Sequence, residues 1–501
     1  METLNRRELL KISGFAGALA ALSVCQAENA LTPAAAASVT PAHNPSPVAQ
    51  IDDEDWLIHQ TLRRITFGPR IEEIERAKEI GLDNFIDEQL APKTIDDTEM
   101  GSYLSDIESI FMSPEELLEI EQRGQPVREL IQTTLLRAIH SKRQLYELMV
   151  DFWSNHFNLY VRKSFVGLLK IIDDRDVIRP HALGNFHDIL SGSAHSPAML
   201  VYLDNAQSNQ RHPNENYARE LLELHTLGVS GGYTHKDVEE VARALTGWSV
   251  TNPRDDKPGY FQYRSRLHDN GEKTILGQTF PAGQGIEDGE QLLEMLAEHP
   301  STAQYISEKL VRRFVSDDPP VSLVSQAAET FNSTSGNIQK VMSTILHSEE
   351  FRASLGSKFK RPYEYTVSAL RVTGAQTSVE RSPGSFLTQM GQPLFNWAPP
   401  NGFPDNADAW STTNGMLARW NYALSVSFNA TRDTELNWDD LINSTNSTSD
   451  VISTLSNRLL GAPLSDDSHQ VVLEFANKLN PDIKIQAIGA LLIASPQFQY
   501  R

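Results

Sequence analysis

The chain has 501 residues, with 65 Asp and Glu against 44 Lys and Arg, a formal net charge of −21. Such a surface repels a phosphate lattice and excludes nonspecific nucleic-acid binding, while 40% hydrophobic and 22% charged residues are the proportions of a folded soluble protein. The single cysteine, Cys25, excludes a disulfide framework and, in the body that follows it, a thiol metal cage or a Cys nucleophile.

The N-terminus carries Arg6-Arg7-Glu8-Leu9-Leu10-Lys11, then a Gly- and Ala-rich apolar run of thirteen residues from Ile12 to Val24. A hydrocarbon core roughly 30 Å thick needs about 20 residues. The run therefore predicts a signal peptide over residues 1–27 and no transmembrane helix in the mature chain. Paired arginines before a weakly hydrophobic core resemble the twin-arginine signal, which exports folded proteins. The expected partner is the twin-arginine export machinery of a bacterium, and the expected location is the periplasm or the medium. Val24 stands where a lipoprotein signal needs a small residue before the cysteine, which makes a lipid anchor at Cys25 the lesser alternative. Residues 28–50, rich in Ala, Pro, Ser and Thr, predict a flexible tether.

Residues 51–442 predict one main helical domain, with a polar loop at 443–450 and a helical tail over 451–501. Ser113-Pro114-Glu115-Glu116 and Thr234 with Asp237 are capping boxes. Apolar periodicity of helical type recurs at 125–160, 182–203, 213–228, 235–247, 287–316, 336–353, 360–373, 408–428 and 482–494. The fold class is mainly α, with one β-hairpin expected within 249–280. There Tyr260–Arg264 alternates, Asp269-Asn270-Gly271 predicts a turn, and Lys273–Leu276 returns.

Three segments carry the candidate chemistry. Winding 145–160 at about 100° per residue puts Glu147, Asp151, Ser154, Asn155 and Asn158 on one face. Leu145, Met149, Phe152, His156 and Tyr160 fall on the other. Winding 214–228 likewise gives a polar face of Glu215, Asn216, Arg219 and Glu223, edged by Glu220, and an apolar face of Tyr217, Leu221, Leu224 and His225. The Glu215–Arg219 and Arg219–Glu223 spacings are those of surface ion pairs, and Gly228 is placed to end the helix. A third helix is expected from His235 to about Trp248, with Glu239 and Arg243 one turn apart.

His156 and His225 both point into apolar company. Each is either a core histidine bonded to a carbonyl, or an acid/base group or metal ligand kept neutral by burial. Eight of the fourteen histidines fall within residues 156–268, which favours a site there. The body has no His-Glu-x-x-His, Walker loop or dinucleotide fingerprint, and Thr226 stands where the Glu-x-x-His of a di-iron bundle would need a histidine after Glu223.

At these residues the chain resembles the exported bacterial family named domain of unknown function 1800. The matching segments run in order: HQTLRRITFGP at 59–69, FWSNHF at 152–157, NENYARELLELHTLGV at 214–229, GGYTHKDVEEVARALTGW at 231–248, KRPYEYTVSALRVTG at 360–374, and Pro393 to Trp410. Phe403 departs from the tryptophan of the family's Pro-Pro-Asn-Val-x-Gly-Trp-Pro run. The resemblance implies a mainly helical exported protein and no particular activity.

The leading expectation is an envelope enzyme, a hydrolase or lyase acting on a cell-surface or extracellular polymer such as a polysaccharide. Glu147, Asp151, Glu220 or Glu223 would serve as base, and His156 or His225 as acid or metal ligand. Trp153, Asn155, Asn214, Asn216, Arg219, Arg243, Trp248 and Arg361 would bind substrate. The alternatives are a noncatalytic envelope binding or assembly protein and a periplasmic carrier of a metal or cofactor, a divalent metal being the candidate.

The paired arginines are the feature that separates this signal from a general secretory one. Replacing Arg6 and Arg7 together by lysine is expected to leave the precursor in the cytoplasm, measured by cell fractionation. An unchanged exported yield would assign the general route instead.

Overall fold

The computed structural model describes residues 54–252, 255–442 and 447–501. The signal segment, the tether and residues 443–446 lie outside them. Within the described residues the fold is mainly α, and its sheets are three antiparallel two-stranded ribbons. No described helix is long and apolar enough to cross a membrane.

The helices that frame the site are α1 (Glu54–Ile65), α2 (Gly124–His140), α3 (Gln144–His156), α4 (Glu215–Glu220), α5 (His235–Ala244), α6 (Glu287–Ala297), α7 (Pro300–Phe314), α8 (Pro362–Thr373), α9 (Thr413–Ser427) and α10 (Pro481–Ala494). Both capping boxes form: Ser113 Oγ accepts from the Glu116 amide while Glu116 accepts from the Ser113 amide, and Thr234 pairs with Asp237 in the same way. One continuous hydrophobic core runs from Ile58 on α1 to Phe498, so side chains of the C-terminal segment pack among those of the main body.

Three predicted elements are corrected. The long pattern over 125–160 is two helices, because Asp97 accepts from the Ser141 hydroxyl at 2.7 Å and the Lys142 amide at 2.8 Å and draws the chain out of the helix between α2 and α3. The 287–316 pattern divides likewise into α6 and α7, where Pro300 opens the second helix and the His299 ring caps it. The third motif helix stops at Ala244, and Trp248 begins a strand instead.

The hairpin pairing is also different. β1 (Trp248–Val250) pairs with β2 (Phe261–Tyr263), and β3 (Lys273–Ile275) with β4 (Gln278–Phe280). The expected partners, 260–264 and 273–276, do not meet. Asp269 is held by Arg243 at 2.8 Å, so the Asp269-Asn270-Gly271 turn serves a loop anchored to α5. The tight turn lies at Leu276 and Gly277, both with positive φ (51° and 79°), the geometry of a type I′ hairpin. A leucine in that conformation carries no sequence signal.

Buried arginines hold the helix ends. Arg64 on α1 donates to the carbonyls of Phe314 and Val315, at 2.6 and 3.0 Å, closing the end of α7. Arg63 donates to Leu460 and Tyr500, and Arg371 to Gly68 and Ile139. The last carbonyls of a helix lack internal partners, and the guanidinium fork supplies several donors from one side chain.

At the centre, Glu364 on α8 accepts from the Arg361 amide at 2.9 Å and from the side chains of Arg313 on α7 and Arg501. Asp151 on α3 engages the same Arg313, at 3.1 Å, and Arg361. Burial alone would raise the Glu364 carboxyl, but Arg313, Arg501 and Arg361 outweigh it and hold the carboxyl far below its ordinary value. Its folded pKa lies under the unfolded one, so its stabilisation is complete above about pH 5 and is lost as pH falls below that.

Glu364→Gln is expected to cost about 3 to 5 kcal/mol, because it leaves buried guanidinium charge without its counter-ion. Chemical denaturation at pH 7 measures the loss. The variant should also lose less stability than the wild type between pH 5 and pH 3.

Candidate functional site

The FWSNHF segment ends α3 and holds a loop over it. Asn155 donates to the Phe403 carbonyl at 3.0 Å and accepts the Phe403 amide at 2.8 Å. Asn158 donates to the carbonyls of Trp397 and Pro399, and the Tyr202 hydroxyl donates to Ala398 at 2.7 Å. Gly402, with φ +71°, lies so close to Asn155 that a Cβ there would run into its carbonyl oxygen. The loop is therefore seated against α3 by amide pairs that no other side chain of this length reproduces.

Between this loop and α7 lies a cavity of about 270 Å³, whose charged and polar wall includes His156, Lys309, Arg312, Arg313, Arg361 and Asp405. Phe152, Trp397 and Phe403 supply its aromatic wall. Phe403 packs on Trp397 at 4.8 Å and on Trp410 at 6.0 Å, so the aromatic contact persists where the family's tryptophan is replaced.

His156 is at the bottom of this pocket with both ring nitrogens committed. Its Nε2 lies 3.1 Å from the His225 carbonyl, and its Nδ1 lies 2.9 Å from the Lys309 ammonium. A carbonyl can only accept and an ammonium can only donate, so the neutral ring carries its proton on Nε2. The His225 carbonyl is available because a π-helical turn, Leu221–Thr226, ends the helix begun by α4 and leaves its last carbonyls without internal partners. Burial, then the Lys309 charge, holds His156 well below its ordinary pKa. Burial likewise brings Lys309 down to about 8, with Asp405 opposing and Arg312 assisting. Both helical-wheel assignments are correct: His156 and His225 are 2% and 1% exposed.

The structure brings His156, Asn155 and Arg361 together at this pocket and distributes the other candidates elsewhere. Asp151 lies behind the pocket, bound to Arg313 and Arg361. Glu147 is paired with Arg179 at 2.9 Å, both nearly buried, so the polar face of α3 is an internal ion-pair face and neither carboxylate is a free base. Glu220 is half-buried, its pKa raised by burial and by Glu223, and Glu223 accepts from the Tyr233 hydroxyl at 3.3 Å. Arg219 pairs with Glu215 at 3.1 Å on the surface.

Five expected ligand contacts are structural instead. Trp153 is fully buried and donates to the Ala182 carbonyl. Trp248 is fully buried against Gly289, His195 and Phe261, so neither indole offers a face to a polymer. Asn214 and Asn216 donate to the carbonyls of Asp204 and Leu203. Arg243 is held by Glu240 and Asp269 rather than by Glu239. The histidines do not converge: His195 joins Glu290, and His268 joins buried Asp288, which also pairs with Lys273.

A divalent metal does not fit between His156 and His225. Their ring centroids are 6.1 Å apart, but His156 has no free nitrogen, and although both nitrogens of His225 are buried without partners, they would be its sole ligands from the pair. Among the described residues, Glu215, His235 and Glu239 are the group whose ligand atoms come within 4.8 Å of one another; it includes neither His156 nor His225. Gly228-Val229-Ser230-Gly231-Gly232 has the Gly-x-Ser-x-Gly spacing, yet Ser230 sits on an exposed turn between the π-turn and α5, not on the strand-to-helix elbow that activates such a serine.

Lys309, Arg312, Arg313 and Asp405 are absent from the expected set. The available signal was the Lys-x-x-Arg-Arg spacing on α7, which puts three cations on one side of a helix, but on its own it reads as a solvated face.

Fold and pocket together define a mainly helical protein built around one basic, aromatic-walled site. The chain belongs to the family described as Protein of unknown function (DUF1800), which matches residues 60–500. No curated protein and no solved structure matches it.

Gln in place of His156 keeps a polar head but not the ring that joins Lys309 to the π-turn. His156→Gln is expected to lower the melting temperature by about 1 to 2 °C, the effect of about 1 to 2 kcal/mol in a chain of this size, with no change in bound metal by elemental analysis. A metal lost with the ring would overturn this assignment.

Proposed function

We propose that the chain is an exported envelope enzyme that cleaves a carboxylate-bearing polymer, in the periplasm or outside the cell, by β-elimination. The observation that carries this reading is Lys309, whose pKa near 8 is set by burial and whose ammonium rests on the neutral His156 ring within a pocket lined by arginines. Elimination next to a carboxylate needs a cation to neutralise that group and a base whose pKa lies near the working pH.

Arg312 is the pocket guanidinium with most freedom to receive the carboxylate, being 35% exposed and held by Glu308 on its own helix and, through Nε, by the Asp317 carbonyl at 3.4 Å. Lys309 Nζ, once deprotonated, takes the proton from the carbon next to the carboxylate. The bond from the neighbouring carbon to the leaving sugar oxygen breaks as the double bond forms, and that oxygen takes its proton from the Lys309 ammonium. His156 is a positioning residue, since its Nδ1 holds Nζ in place.

Hydrolysis by a carboxylate pair fits less well. Asp405 is the carboxylate on the pocket wall, and despite its burial Lys358, Arg313 and Arg361 keep it ionised. Glycoside hydrolysis needs a second, protonated carboxyl.

The test is the appearance of an unsaturated product from acidic polysaccharides. Lys309→Met is expected to reduce kcat by about 10² to 10⁴. The wild-type rate should climb as pH rises toward 8, because the neutral amine is the active form. Arg312→Ala should act mainly on KM. Binding of such polymers without any product would favour the noncatalytic envelope binding reading, and Lys309→Met with full activity would remove Lys309 from the mechanism.

A further inference from the structure

The surface holds a second basic concavity. A groove of about 580 Å³ is lined by Arg123 and Arg128 at the start of α2, by Arg162, and by Arg381. All four arginines are exposed, and among the described residues their guanidinium groups make no ion pair or hydrogen bond. One carboxylate, Glu380, lies with them. Four cations to one anion is unusual on a chain whose net charge is −21, since unpaired like charges repel and evolution ordinarily intersperses the signs.

Hydrogen bonds tie the frame around these arginines. Gln132 of α2 donates to the Ser378 carbonyl at 3.0 Å, and Asp433 accepts the amides of Arg381 and Ser382 at 2.8 and 2.9 Å. Two of the seven non-glycine residues with positive φ among the described residues, Ser164 and Val379, line this groove. A branched residue in that conformation costs of order 1 to 3 kcal/mol, and here it turns the following Glu380 and Arg381 outward while Val379 itself stays buried. Apolar side chains of Val127, Ile131 and Leu394 floor the groove, a surface suited to the CH faces of a sugar ring.

The groove also adjoins the pocket through one loop. Pro393, Leu394 and Asn396 border the groove, and from Trp397 onward the same loop walls the cavity that contains Lys309. The Val161 amide donates to the Phe395 carbonyl at 3.1 Å between the two.

We infer that this arginine groove binds a linear polymer of carboxylated sugars, holding a stretch of chain away from the bond that is cleaved. The inference rests on the reading of the Lys309 pocket for the identity of the polymer, and on the unpaired arginines for the site. Guanidinium groups take carboxylates in bidentate pairs, and the exposure of all four makes the binding sensitive to salt.

The experiment measures binding of an oligogalacturonate of defined length, and of its carboxyl-reduced counterpart, by titration calorimetry at low and moderate salt. The exported mature protein is compared with an Arg128→Ala/Arg162→Ala variant and with Lys309→Met. The inference expects the acidic oligomer to bind, the reduced one not to bind, and the double variant to bind at least tenfold more weakly with an unchanged melting temperature. In the Lys309→Met background the acidic oligomer should still bind, and the two arginine changes should still weaken that binding at least tenfold. Equal affinity of the double variant, equal binding of the reduced oligomer, or binding of inorganic phosphate without the oligomer would each overturn it. Wild-type binding that depends on the arginines but yields no unsaturated product would leave the groove standing and remove the lyase reading.

Discussion

The pairing of buried acidic and basic groups around Glu364 is the constraint on which the rest of the site depends. Three guanidinium groups, from Arg313, Arg361 and Arg501, reach that one carboxylate, and Asp151 takes up two of them again from α3. Charge buried at this density is tolerable only where opposite charge compensates it, and here it does so although the Nε atoms of Arg313, Arg361 and Arg501 have no hydrogen-bond partner. The consequence is positional: α3, α7 and α8 cannot slide or rotate against each other without separating ions in a medium of low polarity. Lys309 lies one helical turn from Arg313, so its place opposite His156 follows from that lock.

The same lock sets the electrostatics of the pocket. Arg313 and Arg361, which line it, have their closest counter-ions, Glu364 and Asp151, outside its lining, and Asp405 is the one carboxylate within it, so cations outnumber anions on its wall. A lysine added to such a wall loses affinity for its proton, partly through burial and partly through Arg312. A weakly held proton and an anion-attracting wall therefore arise from one arrangement.

How much of this was legible in the sequence depended on whether the determinant was local. Capping boxes and the inward turn of His156 and His225 involve residues within a few positions of each other, and they were readable. The inner role of α3's polar face was not, because the partners of Asp151 lie 162 and 210 residues away. A helix with carboxylates on one side looks the same whether water or arginine covers it. The hairpin pairing failed for another reason: Leu276 adopts a conformation that leucine rarely takes, while Asp269-Asn270-Gly271 carries the composition of a turn and is used as an anchor. Lys309 was invisible because a lowered pKa is a property of surroundings assembled from three distant segments.

The π-turn at Leu221–Thr226 has a further consequence, for the tolerance of this chain to changes in length. A π-turn is an α-helix with one residue inserted, so its wide ring stores a register that differs by about 100° from the helix that would form without it. Loss of a single residue anywhere between Leu221 and Thr226 would let the segment relax into plain α-helix and swing the His225 carbonyl away from the His156 ring. The contact that fixes the tautomer of His156 is thus encoded as much by the number of residues in this turn as by their identity, and length here is a chemical variable.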